Sequence, residues 1–154
     1  IRVFAGNVPK GDTEDAAVAR AIAGIEAVLP YAAEKGVLLA LENHGGITAT
    51  PEQLLRLVQG VKGPNFGVNL DTGNFHGADP YDDLAQLAPY AINVQVKTEI
   101  SRAGKKKEEA DLARVINLLR DAKYSGYVVL EYEAEEDPMT AVPRTIKQLR
   151  KLLG

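Results

Sequence analysis

Four short apolar runs in the sequence each end in polar side chains that can bind a cation or move a proton. These side chains are Glu42, Asp71, Gln95 with Lys97, and Glu131. Any single acid in such a position is as often a helix cap or an ion-pair partner as a functional group. Carboxylates that are crowded together repel one another unless positive charge lies among them. A divalent cation is the simplest source of that charge.

The available ligand types restrict which cation is expected. The chain has no cysteine, which excludes disulfides, thiolate chemistry and cysteine zinc sites. Carboxylate and amide oxygens are the ligands that hard cations prefer in proteins. We therefore expect Mn²⁺ or Mg²⁺.

Composition excludes several classes of protein. With 154 residues and 45% hydrophobic side chains, the chain is long enough for one sizeable core, and we expect a single α/β domain over residues 1–154. The net charge is -3, and the only dense basic run, Lys105–Lys107, lacks interleaved aromatic residues, so we expect no nucleic-acid partner. No uninterrupted apolar stretch approaches the roughly 18 residues of a membrane span, and the N-terminus has no signal-peptide pattern. We expect no membrane contact and a cytoplasmic location.

Apolar runs alternate with helical patterns along the chain. The predicted strands are Ile1–Ala5, Val37–Glu42, Phe66–Asp71, Ile92–Lys97 and Tyr127–Tyr132. The predicted helices are one containing Ala17 to Ala32 with a kink at Pro30, one that begins with the capping pattern of Thr50 and Gln53, and then Tyr81–Ala88, Lys107–Ala122 and Ala141–Leu153. Such alternation predicts a parallel sheet with crossover helices, either closed as a barrel or open. In both arrangements the carboxyl ends of the strands form the active site.

Four motifs in this order and spacing resemble a known family. They are LALENHGG, NLDTGN, VQVK and VVLEYE, and together they resemble the xylose-isomerase-like TIM-barrel superfamily, the sugar (phosphate) isomerases and epimerases related to endonuclease IV. The resemblance implies a partial (β/α)8 TIM barrel with five parallel βα units, corresponding to the fourth to eighth strands. A full barrel takes about 250 residues. We therefore expect a fragment, a complementing N-terminal barrel fragment, or self-association.

The resemblance also implies roles for particular residues. It implies a divalent metal held by Glu42, Asp71, Gln95 and Glu131, with the two glutamates as acid and base. The sequence departs from the family pattern at Gln95, where most members have histidine, and at Asn74, where several epimerases have a substrate-contacting histidine. The second departure leaves the substrate class open.

Further polar residues near these motifs are candidates for substrate binding. They are His44, Asn74, Lys97 and Arg102. His44, beside Asn43 at the rim, is expected either near the substrate or as a loop hydrogen-bonding residue. Lys97 lies on the same strand face as Gln95 and is expected to bind a substrate oxyanion or to pair with a neighbouring acid. Arg102 lies in the following loop, where it either catches an anionic substrate group or is solvated.

These residues lead to two classes of function. The first is a metal-dependent isomerase or epimerase of a small sugar or hydroxy-ketone that acts through an enediolate. A lyase variant of the dehydroshikimate or inosose dehydratase type would begin with the same proton abstraction, and Gln95 slightly favours it. The second class is a non-catalytic half barrel that serves as a folding fragment or assembly unit.

Overall fold

Five of the strands form one parallel sheet in the computed structural model, which describes residues 1–154. The sheet consists of β1 (Arg2–Val3), β2 (Leu39–Glu42), β3 (Phe66–Asp71), β4 (Ala91–Val96) and β7 (Tyr127–Leu130), in the spatial order β1-β2-β3-β4-β7. The predicted runs are confirmed, although β1, β2 and β7 are shorter than expected. All four strand pairings are parallel.

The helices between the strands begin at residues that cap them. They are α1 (Glu14–Glu34), α2 (Pro51–Gly60), α3 (Pro80–Leu87), α4 (Leu112–Asp121) and α5 (Pro138–Leu153). Each is preceded by a Thr or Asp whose side-chain oxygen accepts a hydrogen bond from a first-turn backbone N–H, and the capping box predicted at Thr50 and Gln53 is present. Short 3₁₀ turns lie at Gly46–Thr48 and Ala88–Tyr90.

The two faces of the sheet have different chemistry because strand side chains alternate in direction. Val68, Leu70, Val94 and Val96 are at most 1% exposed and belong to a core cluster of 22 buried residues shared with the helices. The residues between them are polar and face the opposite side. That side is concave. It forms a cleft of about 520 Å³ that is lined by residues from all five strands.

An antiparallel hairpin follows β4 and corrects one predicted boundary. β5 (Glu99–Ser101) pairs with β6 (Lys107–Glu109), so the prediction of a helix from Lys107 is wrong. The run of charged residues in β6 has no apolar face, and the apolar periodicity begins only at Leu112, where Asp111 caps α4.

Helix α1 is the most apolar of the helices. An 18-residue window of α1 has a mean hydropathy of 1.4, so by length and composition alone this helix could cross a membrane. This is weak evidence, since core helices of soluble proteins pass the same test. In this chain Ala17, Val18, Leu29 and Ala32 of α1 are buried against the sheet and its neighbouring helices.

Both edges of the main sheet are open within this chain. β1 pairs only with β2, and β7 pairs only with β4. Near these edges Tyr127 is 82% exposed and Ile1 is 74% exposed. The sheet therefore presents two rows of unpaired backbone groups.

Candidate active site

The polar side chains predicted from the strand ends all come from the same edge of the sheet. Glu42 ends β2, Asp71 ends β3, Gln95 lies next to the end of β4, and Glu131 follows β7 directly. Asp71 and Gln95 are direct neighbours in the register of β3 and β4. Glu42 and Asp71 are almost completely buried, whereas the Glu131 side chain is 31% exposed. The site therefore has a buried floor and a more open side at β7.

An asparagine that was not among the predicted site residues bonds to two of these side chains. The Asn69 amide nitrogen donates to Glu42 Oε2 at 2.6 Å and also to Gln95 Oε1. Gln95 Nε2 in turn donates to Glu131 Oε2 at 2.6 Å. Asn69 is 2% exposed, and its own oxygen accepts from Asn93 Nδ2 at 2.6 Å. A continuous hydrogen-bonded chain thus connects the two glutamates across β2, β3, β4 and β7.

A second missed residue, Arg2, lies between the two glutamates. Its Nη1 is 3.2 Å from Glu42 Oε2 and 3.8 Å from Glu131 Oε1. Both residues carry a signal in the sequence. Asn69 precedes Asp71 by two positions, and alternate residues share a strand face. Arg2 is a charged residue within the first apolar run.

Lys97 supplies the second positive charge of the site. Its Nζ lies 2.9 Å from Glu131 Oε2, 2.6 Å from Glu133 Oε2 and 3.5 Å from Asp71 Oδ2. The Lys97 side chain is only 10% exposed. The expected ion pairs of Lys97 with neighbouring acids are present, and substrate binding by Lys97 stays a prediction.

Asp71 has an incompletely satisfied carboxyl group. Its Oδ1 accepts from the Gly73 backbone N–H at 2.8 Å, whereas its buried Oδ2 has no hydrogen-bond partner. Burial raises the pKa of Asp71 to about 7, and the neighbouring Glu131 carboxyl adds to this rise. A buried oxygen without a donor is costly, so this atom is a natural place for a cation.

Glu131 and Lys97 are kept in their charged forms. Burial favours a higher pKa for Glu131, but the Lys97 ammonium and the neighbouring polar groups of Asp71 and Gln95 outweigh burial and leave the pKa lowered. Burial opposes the charge of Lys97, yet Glu133 and Glu131 raise the pKa of Lys97 to about 12. At neutral pH the site therefore contains an ionised Glu131 that can accept a proton.

The polar side chains at the strand ends are of the types that bind hard cations. Glu42, Asp71, Gln95 and Glu131 can all offer oxygen ligands, and the buried Asp71 Oδ2 accepts no hydrogen bond. As they stand, no three Asp, Glu or His side chains of the chain form a cluster that could hold a metal ion. Gln95 provides an amide in place of an acid or imidazole. The carboxyl groups of Glu42 and Glu131 bond instead to the side chains of Arg2, Asn69, Gln95 and Lys97.

The remaining candidate residues lie outside this hydrogen-bonded group. His44 is exposed and packs edge-on against Phe4, with ring centroids 4.9 Å apart. Both residues line a cleft of about 220 Å³. Asn74 is half-buried in the turn after β3. Arg102 pairs with Glu108 at 2.7 Å and Asp79 at 3.4 Å in the hairpin region. Substrate binding by these three residues stays a prediction.

Asn43 is completely buried, whereas the sequence predicted it at the rim of the site. Its amide group makes a double hydrogen bond with the Asp71 backbone: Nδ2 donates to the Asp71 carbonyl and Oδ1 accepts from the Asp71 N–H, both at 2.8 Å. Asn43 therefore joins the end of β2 to the end of β3 and fixes Glu42 relative to Asp71.

Solved structures similar to this chain are TIM barrels. A D-tagatose 3-epimerase-like protein has a TM-score of 0.77 and 18% identity, with 99% of this chain and 62% of that chain covered. The probable 3-DHS dehydratase AsbF of Bacillus anthracis, involved in petrobactin synthesis, has a TM-score of 0.67 and 21% identity, with 99% and 62% covered. A xylose isomerase-like TIM barrel protein from Mycobacterium smegmatis in complex with magnesium has a TM-score of 0.71 and 20% identity, with 96% and 53% covered. At these identities the likeness establishes the fold.

Family membership is established by the sequence itself. No curated protein matches the chain, but the family model described as "Xylose isomerase-like TIM barrel" matches residues 1–152. The chain spans between 53% and 62% of the length of the three similar structures. It therefore belongs to the xylose isomerase-like TIM barrel family, and its five parallel strands and five helices cover a part of such a barrel.

Proposed function

We propose that this chain carries the metal-binding and proton-transfer residues of a divalent-metal-dependent isomerase or epimerase. The substrate would be a small sugar or hydroxy-ketone, and the reaction would proceed through an enediolate. The observation that carries the proposal is the row of oxygen-bearing side chains at the ends of four neighbouring parallel strands, in which the buried Asp71 Oδ2 accepts no hydrogen bond. Glu42, Asp71, Gln95 and Glu131 would hold Mn²⁺ or Mg²⁺.

The chain's own residues account for the proton transfer. Glu131 is ionised and partly exposed, so it is suited to remove the proton from the substrate carbon next to the carbonyl. The C–H bonding electrons then form the enediolate. Glu42 would take up a proton from solvent and give it to the enediolate carbon, and Glu131 would release to solvent the proton that it removed. Asn69 and Gln95 hold the two glutamates in fixed relation. When bound, the divalent ion would supply the Lewis acid that polarises the carbonyl and offsets the enediolate charge.

Solvent exchange tests this proposal. The chain, combined with the first three βα units of a related barrel and Mn²⁺, is incubated with small ketoses in deuterated water. We expect deuterium at the carbon next to the carbonyl. Glu131→Gln retains an oxygen ligand but removes the proton carrier, so exchange should fall by about 10²-fold or more while Mn²⁺ affinity changes much less. Glu135→Gln, at an exposed acid of the same loop, is the matched control.

Two outcomes would redirect the assignment. Full exchange in Glu131→Gln would remove Glu131 from the chemistry. Absence of exchange in the complemented native chain across the ketose panel would favour the non-catalytic half barrel.

A dehydratase is the second candidate function. The amide at Gln95 favours it, and one of the similar folds is a probable 3-DHS dehydratase. Proton removal by Glu131 would then be followed by loss of a hydroxyl group β to the carbonyl. A conjugated product absorbing in the ultraviolet, formed from a 3-hydroxy ketone, would distinguish it from an isomerase.

Assembly and location complete the proposal. The open edges at β1 and β7 favour self-association or pairing with a complementing N-terminal barrel fragment, because unpaired parallel edges are unfavourable. We place the protein in the cytoplasm as one α/β domain, with no membrane or nucleic-acid partner.

A further inference from the structure

The Lys97 ammonium lies where two of the proposed metal ligands would have to meet an ion. Its Nζ contacts Glu131 Oε2 at 2.9 Å and lies 3.5 Å from the otherwise unpartnered Asp71 Oδ2. An ammonium and a divalent ion cannot share these oxygens, since two cations a few ångströms apart in a buried site repel each other strongly. The ammonium therefore offsets part of the negative charge of Asp71 and Glu131 at the place where an ion would bind.

Packing fixes the start of the Lys97 side chain. Gly73, in the turn after β3, lies against the Lys97 stem, and a β-carbon at Gly73 would be 2.7 Å from Lys97 Cγ. The Lys97 backbone N–H donates to Thr72 Oγ1 at 2.9 Å. The start of the side chain is thus held by the turn, and only its outer part is free to change rotamer.

A second acceptor for the ammonium lies further out. Glu133 follows Glu131 by two residues, and its Oε2 is 2.6 Å from Lys97 Nζ. The Glu133 side chain is 58% exposed, whereas that of Asp71 is fully buried. A small rotation of the flexible Lys97 stem would keep the contact with Glu133 while releasing Asp71 and Glu131.

We infer that Lys97 is an internal counter-cation that competes with the divalent ion, and that Glu133 receives the ammonium when the ion binds. The inference rests on the proposed metal site and concerns its regulation. The affinity for the divalent ion would then depend on Lys97 and Glu133, neither of which is a metal ligand.

The test is Mn²⁺ titration of the purified chain by calorimetry. Lys97→Met should bind Mn²⁺ at least about tenfold more tightly than the native chain, because the competing charge is gone. Glu133→Gln should bind severalfold more weakly, and Glu135→Gln, at an exposed acid without an ion pair, should match the native chain. In the double variant Lys97→Met/Glu133→Gln, loss of Glu133 should change the affinity less than twofold, since Glu133 acts through Lys97.

A labelling experiment on the native chain checks the same inference without a substitution. Mn²⁺ should increase the rate at which an amine-acylating reagent modifies Lys97, while the exposed Lys35 is unaffected. Unchanged or weaker Mn²⁺ binding by Lys97→Met, or unchanged Lys97 labelling in a native chain that binds Mn²⁺, would overturn the inference and leave the metal site standing. Failure of both the native chain and Lys97→Met to bind Mn²⁺ would overturn the proposed metal site and the inference together.

Discussion

At the scale of single residues, Asp71 is the group whose surroundings differ most from water. Its pKa is raised from 3.8 to about 7, mainly by burial. Below pH 3.8 the carboxyl is protonated in both the folded and unfolded states, so burial carries no charge penalty. As the pH rises from about 4 to 7 the unfolded state loses its proton first, and the free energy of unfolding decreases.

Asp71→Asn tests this electrostatic cost. The variant is neutral at every pH, so it should become more stable than the native chain as the pH rises, by on the order of 2 to 4 kcal/mol at pH 8 relative to pH 4. Urea unfolding at pH 4, 6 and 8 measures the difference. Asp121→Asn, at an exposed acid, should show no such trend. Equal stability differences for Asp71→Asn at all three pH values would contradict the raised pKa.

Gln95 is the residue whose amide sets the expected ion preference. Gln95→His should preserve binding and shift selectivity from Mn²⁺ and Mg²⁺ toward Zn²⁺ or Co²⁺, because imidazole is a softer ligand. Competition titrations among these ions measure the shift. No change in selectivity would count against Gln95 as a ligand.

Strand periodicity explains which site residues could be predicted. Glu42, Asp71, Gln95, Lys97 and Glu131 end apolar runs, so their common edge followed from the alternation of strands and helices. The ion pair of Lys97 with Glu131 depends on how β4 and β7 are aligned, which the sequence does not show. The double hydrogen bond of Asn43 likewise depends on how β2 and β3 are aligned.

At the scale of elements, the turn after β2 depends on glycine. Gly45 and Gly46 both have positive φ angles, of 68° and 54°. A β-carbon at Gly46 would overlap the Gly6 carbonyl oxygen, whereas one at Gly45 would contact nothing within 4 Å. The Gly6 oxygen also accepts from the Ile47 N–H at 3.0 Å, which ties the segment after β1 to this turn.

Alanine substitutions separate backbone strain from the close contact. Gly45→Ala should lower the free energy of unfolding by about 1 to 3 kcal/mol through strain alone. Gly46→Ala should lower it by roughly 1 to 3 kcal/mol more, because the backbone must also move apart. Gly24→Ala, inside helix α1 and without close neighbours, should raise it by about 0.5 to 1 kcal/mol. Equal costs for Gly45→Ala and Gly46→Ala in urea unfolding would show that the contact with Gly6 is unimportant.

The hairpin shows what hydrophobic periodicity misses. All three residues of β6 are exposed, so they leave no apolar pattern, and backbone pairing with β5 decides their structure. The helix starts were easier to predict, since Thr50 and Asp79 carry the capping chemistry in the local sequence.

At the scale of the whole molecule, the open edges of the sheet predict association. We expect sedimentation velocity to show species larger than the monomer, increasing with concentration, since β1 and β7 each leave one side unpaired. Adding the first three βα units of a related barrel should shift the chain into a one-to-one complex. A compact monomer that unfolds cooperatively and ignores the added units would show that the sheet is stable with both edges open.

If the strand-end side chains hold one divalent ion, paramagnetic NMR will locate that ion. Substoichiometric Mn²⁺ should broaden the backbone amide signals of Asn43, Thr72, Lys97 and Tyr132, which adjoin the proposed ligands. The amide signals of Phe66, Ile92 and Tyr127, near the opposite ends of their strands, should broaden much less. Broadening centred on the exposed acids of residues 133–136, or no selective broadening at all, would contradict the account.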